Sequence, residues 1–245
     1  MHDVAHEEPR SGSSSKHPVR PLDAAERRVL GTLIEKGKTT PDQYPLSLNA
    51  VVTGCNQKSN RDPLMTLDEE SASRALGTLR QSGAVAEVFG NGKIPRYRHL
   101  AYEWLGVGKE ELAIMGELLL RGEQSEGDLR GRASRMDPIA DLDTLRGHLD
   151  ALAARGLVVW LSPPGRGRML THGLLPAEKL EKVRAALGVA AASAATAVVA
   201  MDTAGTHDPA AAGSVASSRG LERRVADLEA AVVDLLERIA AIEGK

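Results

Sequence analysis

The residues best suited to covalent or metal chemistry are a single cysteine and seven histidines. Cys55 opens the polar string CNQKSNRDP, but the chain has no CxxC, HExxH or GxSxG pattern, and its histidines lack the spacing of metal ligands. Free cysteine is commonly buried, so we expect Cys55 to be a packed side chain near a helix end. An enzyme, a metal and a cofactor are therefore not expected.

Contact with nucleic acid is the second chemistry to consider, because it needs cations and hydrogen-bond donors on one surface. On a predicted helix around Leu76, three polar residues lie opposite the apolar side and are suited to contact base edges, namely Arg74, Thr78 and Gln81. Seven further cations are candidates to hold phosphates, namely Lys58, Arg61, Lys93, Arg96, Arg98, Arg166 and Arg168.

Two alternatives remain open for these cations. They can be surface charges that interact only with water. The segment around Arg61 can also have a structural role, because Asn and Ser side chains cap backbone groups and the string Arg61-Asp62-Pro63 can fix the chain before the next helix.

Net charge limits how tightly such a surface can bind DNA. The 245 residues include 31 Lys+Arg and 33 Asp+Glu, a formal charge of -2. Residues 20–105 carry 12 cations and 10 acids, whereas residues 106–188 carry 12 of each. Because no segment is strongly basic, binding driven by bulk charge is not expected, and any DNA contact must come from a local patch.

The elements that position these residues begin with a clear helix. Asp23 and Glu26 have the spacing of a capping box, apolar residues follow at helical spacing, and Gly37 is expected to end the helix. A second helix is predicted from Leu46 to about Cys55.

A third helix is predicted to begin near Thr66 or Asp68 and to stop at Gly83. Asn91-Gly92 then lies between two short β-prone runs, which is a hairpin signal. Three helices followed by a hairpin are the order of a winged helix-turn-helix.

The same pattern occurs twice. The string MGELLLRG (115–122) matches LGTLIEKG (30–37) at an offset of 85, and LDALAARGLV (149–158) matches LGTLRQSGAV (76–85) at an offset of 73. These matches indicate a duplicated structural unit, whose second copy is predicted to have a hairpin built from residues 158–161 and 169–170. The offsets differ by 12, so the first copy has about 12 additional residues, most of them expected in VVTGCNQKSNRDPLMT (51–66).

The string CNQKSNRDPLMTLDE, after LIEKGKTTPDQYPLSLNAV, resembles the YceH-like proteins of bacteria. The resemblance covers roughly residues 20–188 and the terminal helix. It implies a tandem pair of winged-helix domains and brings no known reaction, ligand or DNA site. The expected fold is mainly α with small β-hairpins, with winged-helix domains at 20–105 and 106–188.

The C-terminal segment 219–245 has a strict heptad pattern. Val and Ile dominate one core position and Leu the other, which favours a parallel two-stranded coiled coil and hence a homodimer. The heptad residues are Leu221, Val225, Leu228, Val232, Leu235, Ile239 and Ile242. Packing of this helix on its own chain is the alternative. Residues 189–218 are predicted to be a flexible linker and residues 1–19 a disordered tail.

Two functions agree with these patterns. The first is a dimeric transcriptional regulator that contacts double-stranded DNA through the first unit, and the second is a scaffold that grips a protein partner. The third helix of the second unit exposes Asp143 and Asp150 without a cation, so it is not expected to read DNA. A continuous positive face on the first unit would favour DNA, whereas an exposed apolar patch would favour a partner. Without a signal peptide or membrane span, a cytoplasmic location is expected.

Overall fold

Two successive sets of elements follow one order along the chain. The computed structural model describes residues 18–89 and 94–188. The first repeat contains α1 (Ala24–Thr39), a 3-10 turn (Pro41–Gln43), β1 (Leu46–Ser47), α2 (Leu48–Cys55), α3 (Glu69–Gln81), β2 (Val85–Phe89) and β3 (Pro95–His99). After α4 (Ala101–Leu105), the second repeat contains α5 (Lys109–Arg121), β4 (Gln124–Ser125), α6 (Glu126–Ala133), α7 (Leu142–Ala154), β5 (Val158–Trp160) and β6 (Met169–His172). Residues 177–188 are also helical.

Each repeat has a small antiparallel sheet with its hairpin strands and one short strand from before the second helix. The strand orders are β1-β3-β2 and β4-β6-β5, so the sheets correspond strand for strand. Leu46 lies opposite Tyr97, and Gln124 lies opposite Leu170. The expectation of a mainly helical chain with small β-hairpins is confirmed. Leu46 itself is in β1 and not in the second helix, which begins at Leu48.

Side-chain caps fix where the main helices begin. The Asp23 carboxylate accepts from the backbone N–H of Glu26, and the Glu26 carboxylate accepts from that of Asp23, so the predicted capping box is confirmed. Asp68 and Asp141, at equivalent positions of the repeats, cap α3 and α7 in the same manner. These contacts satisfy N–H groups that have no partner within a helix.

The end of α1 differs from the prediction, because the helix continues past Gly37 to Thr39. A Cβ atom at Gly37 would lie 3.2 Å from the imidazole Nε2 of His99 and 3.4 Å from the ring of Tyr44. The glycine therefore allows close packing against His99 of β3 and Tyr44 after the 3-10 turn, and it does not end the helix. At Gly122, the equivalent residue, φ is +72° and α5 does end.

The repeats pack on each other through α1 and α5, and the contact is reciprocal. A Cβ atom at Gly31 would lie 2.9 Å from Cγ of Leu120, and one at Gly116 would lie 2.7 Å from Cγ2 of Ile34. Gly31 and Gly116 correspond at the offset of 85 residues. The two helices therefore meet as the two halves of a pseudo-symmetric pair, each with an aliphatic side chain over the glycine of the other.

The additional residues of the first repeat lie in two places. Nine positions separate Gly37 from Leu46, whereas two separate Gly122 from Gln124. The connection from α2 to α3 has 13 residues, and that from α6 to α7 has eight. The prediction that most of the insertion lies in residues 51–66 is thus wrong, because the larger part lies before β1 and includes the 3-10 turn.

One hydrophobic cluster runs through both repeats. Aliphatic side chains of α1 and α5 form its centre, including Leu30, Leu33, Met115 and Leu118, each fully buried. This agrees with an aromatic content of only 2%. Of the helices in the described ranges, none is long and apolar enough to cross a membrane.

Candidate nucleic-acid interface

Arg61, a predicted phosphate ligand, is buried in the structure. Its guanidinium lies 2.7 Å from a carboxylate oxygen of Glu35 and donates to the carbonyl of Gly54 and the side chain of Gln57. The side chain has no exposed surface. Arg61 is therefore unable to contact a phosphate, and the structural alternative accounts for it, because it fixes the α2–α3 connection to α1.

Other polar residues of the connection also bind backbone groups. The Asn56 side chain accepts from the N–H of Leu67 and donates to its carbonyl, both at 2.8 Å. The amide of Asp62 donates to the carbonyl of Leu120 in the second repeat at 3.0 Å. Lys58 is exposed, so it stays available to a ligand. Hydrogen bonds thus fix the α2–α3 connection at several points. Of its two predicted phosphate ligands, Lys58 is exposed to solvent and Arg61 is buried.

Cys55 is buried at the end of α2, as expected. Its Sγ lies 3.5 Å from the hydroxyl of Thr32, and burial raises the pKa of the thiol. The reactive thiolate is therefore disfavoured. Within residues 18–89 and 94–188, no three His, Cys, Asp or Glu side chains are arranged to hold a metal ion.

The exposed face of α3 contains the three predicted base-contacting residues. Arg74, Thr78 and Gln81 all face solvent. Arg74 lies 3.9 Å from Glu70, and the Thr78 hydroxyl donates to helix carbonyls. Thr78 and Gln81 also line a groove of about 660 Å³ beside residues 18–23. The helix begins with exposed acids, so its N-terminal turn would repel phosphate despite the helix dipole.

The outer face of the first sheet is cationic. Arg96 lies opposite Val88 and Arg98 opposite Ala86, and residues directly opposite each other project from one face of a sheet. Both arginines are exposed, and neither pairs with a carboxylate in the part of the chain that the structure describes. Arg96 donates to the carbonyl of Pro45 at 2.9 Å, which orients it. Two guanidinium groups without a carboxylate partner among the described residues therefore share one face of the sheet.

The end of this hairpin carries an apolar pair that sequence reasoning missed. Phe89 is 65% exposed and Ile94 is 70% exposed, one at the end of β2 and one just before β3. Lys93, the third predicted cation of the hairpin, lies outside the described residues. The signal was present in the string VFGNGKIP, where apolar residues flank the turn.

The exposed side of α7 in the second repeat carries both acids and a cation. Asp143 and Asp150 are exposed, as predicted, but the predicted absence of a cation is wrong, because exposed Arg146 pairs with Asp143 and Glu126 at 3.2 and 3.1 Å. Arg166 is exposed on the hairpin tip. Arg168 instead stacks on Trp160, 3.5 Å from the ring centroid.

The predicted dimerisation residues from Leu221 to Ile242 lie outside the described residues. The linker 189–218 and the tail up to residue 17 do so as well. The predicted nucleic-acid contacts that the structure leaves exposed are Lys58, the arginines of β3, the three polar residues of α3 and Arg166.

Comparison with known proteins places this chain among bacterial relatives. A UPF0502 protein of Rhodopirellula baltica is 54% identical over 175 residues, which is 71% of this chain and 73% of the relative. A UPF0502 protein of Geobacter sulfurreducens is 51% identical over 134 residues, 55% of this chain and 61% of the relative. One of Koribacter versatilis is 44% identical over 161 residues, 64% and 75% of the two chains.

The resemblance to a bacterial family without an assigned reaction is confirmed by a match to residues 22–166, from the start of the first repeat to the second hairpin. More than half of the chain is matched. The chain belongs to the family described as "Protein of unknown function, DUF480".

Proposed function

We propose that this protein is a non-enzymatic, DNA-associated protein whose repeats are winged-helix units, at residues 20–105 and 106–188. The first unit docks on double-stranded DNA through the outer face of its wing. The observation that supports this most is the pair Arg96 and Arg98, which are exposed on one sheet face and form no ion pair within the described residues. Guanidinium groups are well suited to phosphate oxygens because they donate in a planar fork.

The wing, rather than α3, provides the main contact in this proposal. Asp68, Glu69 and Glu70 at the start of α3 would meet phosphates if the helix entered the major groove deeply. Arg74, Thr78 and Gln81 lie further along the helix, where a shallower approach brings them to base edges. Affinity then comes from the phosphate contacts and is strongly dependent on salt, whereas sequence preference is modest.

The test is fluorescence anisotropy with random-sequence duplexes at low and physiological salt. Replacing Arg96 and Arg98 with Ala should weaken binding evenly across sequences. The slope of log K against log salt should flatten by about 2, because two phosphate contacts are lost.

The matched control removes the same charge elsewhere. Lys109 and Arg184 are both exposed and outside the first repeat, so replacing both with Ala should leave the duplex affinity and the salt slope unchanged. An unchanged slope in the Arg96/Arg98 variant would refute the wing contact. If the loss of affinity depended on the base at one position of the duplex, these arginines would be contacting bases and not phosphates.

A protein-interaction scaffold is the second candidate, and the exposed pair Phe89 and Ile94 favours it. Exposed apolar groups that lie together are typical of protein contact sites. A photo-crosslinking amino acid at position 89 distinguishes the candidates, with the same amino acid at exposed Lys182 as the control. Adducts to nucleic acid would support the wing on DNA, and adducts to a defined polypeptide would support the scaffold.

A further inference from the structure

A cavity of about 350 Å³ lies at the seam between the two repeats. Its walls come from α1 and the α2–α3 connection on one side, and from the end of α5 and β6 on the other. The helix at 177–188 contributes Lys179 and Val183. Pockets for small molecules start at about this volume. A ligand there would touch both repeats at once.

Cations outnumber acids among the charged side chains that line this seam cavity. Four positive side chains line it, against the carboxylates of Asp62 and Glu123, and both of these acids are exposed. The four cations are Arg27, Arg28, Arg121 and Lys179. Across residues 18–89 and 94–188, only Arg121 among them has a carboxylate partner, Glu117 at 3.1 Å. The seam cavity thus carries more positive than negative side-chain charge, even when Glu117 is counted with Asp62 and Glu123.

Arg28 is the most deeply placed of these cations, with only 2% of its surface exposed. It donates to the carbonyls of Cys55 and Pro63, and its Nε–H has no acceptor among the described residues. Burial and the nearby charge of Arg61 lower the pKa of this guanidinium. A buried charge is costly unless an opposite charge compensates it, and carbonyl dipoles do so only in part.

Two neighbouring groups complete the description. Thr171 is fully buried against the seam cavity, and its hydroxyl oxygen has no hydrogen-bond partner in the described part of the chain. His172 adds no charge, because burial and then Arg27 lower its pKa to about 3, and its Nδ1 accepts from the amide of Leu174. The described residues thus compensate the buried charge of Arg28 only in part, through two carbonyl dipoles and the exposed carboxylate of Asp62.

We propose that the seam cavity binds a small anion that carries a phosphate or carboxylate group. Arg27 and Lys179 contact the anionic group directly, and the buried positive charge of Arg28 in the cavity wall stabilises the anion electrostatically. This site is separate from the wing and does not depend on the proposed DNA contact. Its walls include the connection that leads into α3, so the bound anion would brace that segment against the second repeat.

The experiment measures thermal unfolding of the full chain during titration with inorganic phosphate or with citrate, at ionic strength held constant with sodium chloride. A ligand that binds only the folded state raises the melting temperature in a saturable manner. Replacing Arg27 with Gln and Lys179 with Ala should raise the half-saturating concentration at least tenfold. Comparing the two anions identifies whether phosphate or carboxylate is preferred.

Two controls separate binding from folding and from general charge. Arg27 also donates to the carbonyl of Leu22, so the single variant Lys179→Ala, at an exposed side chain, must by itself raise the half-saturating concentration severalfold. The Lys109→Ala/Arg184→Ala variant should respond like the unchanged protein. The proposal is overturned if neither anion gives a saturable rise, or if the Arg27/Lys179 variant responds with unchanged affinity.

Discussion

At the scale of single residues, Lys58 and Arg61 show how similar cations take opposite roles three positions apart. From the sequence they belong to one polar string, and both are suited to hold phosphate. The structure leaves Lys58 exposed and buries Arg61 against Glu35, which lies 26 residues earlier. The sequence indicated that a structural role was possible, but the acid that decides it comes from another helix.

Replacing Arg61 with Ala leaves the Glu35 carboxylate buried without its partner. We expect the free energy of unfolding to fall by about 3–5 kcal/mol, as is typical when one member of a buried ion pair is removed. Lys58→Ala is the matched control and should change it by less than about 0.5 kcal/mol, because surface substitutions seldom matter. Urea unfolding measures both. Equal effects of the two substitutions would contradict the assigned roles.

Two histidines, His99 half-buried and His172 fully buried, make stability dependent on pH. Burial lowers the pKa of His99 to about 4 and that of His172 to about 3, from an unfolded value of 6.5. The unfolded chain therefore takes up more protons below pH 6.5, and stability that is present above that pH is lost as the pH falls. By pH 5 each histidine should reduce the free energy of unfolding by about 2 kcal/mol.

Urea unfolding between pH 7.5 and 5 tests this, since most carboxylates remain ionised over that window. His172→Gln keeps an acceptor for the Leu174 amide but takes up no proton, so about half of the pH-dependent loss should disappear. His148→Gln, at a half-exposed side chain, serves as the control. A full pH-dependent loss in the His172 variant would show that this imidazole is charged in the folded protein.

At the scale of elements, the starts of α1 and α3 could be predicted because their capping signals are local, whereas α2 begins two residues after its predicted start. Asp23, Asp68 and Asp141 lie at the caps of their helices, and each binds an amide three residues on. The end of α1 could not be predicted, because the residues packed closely around Gly37 come from β3 and from Tyr44 after the 3-10 turn. Glycines at equivalent positions thus differ in role: Gly122 ends α5 in the second repeat, whereas Gly37 makes a packing contact in the first.

Gly116→Ala tests the reciprocal helix contact. The new methyl group would lie 2.7 Å from Cγ2 of Ile34, so α1 and α5 must shift, and the free energy of unfolding should fall by about 1–3 kcal/mol. Gly147→Ala in α7 is the matched control, because nothing lies within 4 Å of the new methyl group. That variant should gain up to about 1 kcal/mol from helix propensity.

A double-mutant cycle with Ile34→Ala identifies the contact itself. Removing Cγ2 of Ile34 should relieve much of the cost of the Gly116 substitution, so the two changes should not add. If the two changes in the free energy of unfolding simply add, the strain caused by Gly116→Ala does not arise from contact with Ile34.

At the scale of the whole molecule, the duplication and the class of fold could be predicted, because both depend on patterns repeated along the chain. The assembly of the seam could not, since the sequence does not indicate which faces of the two repeats meet. Surface features also differed in how far they could be predicted. The exposed acids of α7 were predicted from the helical pattern, whereas the apolar end of the first hairpin became evident only from its exposure in the structure.

The heptad pattern at 219–245 predicts a homodimer. Deleting these residues should halve the mass measured by light scattering, because the a and d side chains that hold the two helices together are lost. Leu228→Asp should have the same effect, whereas Ala230→Asp, on the outer side of the predicted helix, should leave the dimer intact. An unchanged mass after deletion would show that the segment does not hold a dimer together and would favour its packing on its own chain.

The reciprocal contact between Gly31 and Gly116 has a consequence for how the protein can assemble. A self-complementary surface normally recruits a second molecule, but here both halves of it are supplied by one polypeptide and each is already occupied. The chain is, in effect, a covalently tethered dimer whose central contact is closed. Any larger assembly of intact chains must therefore use a different surface, and its symmetry axis cannot coincide with the one inside each molecule.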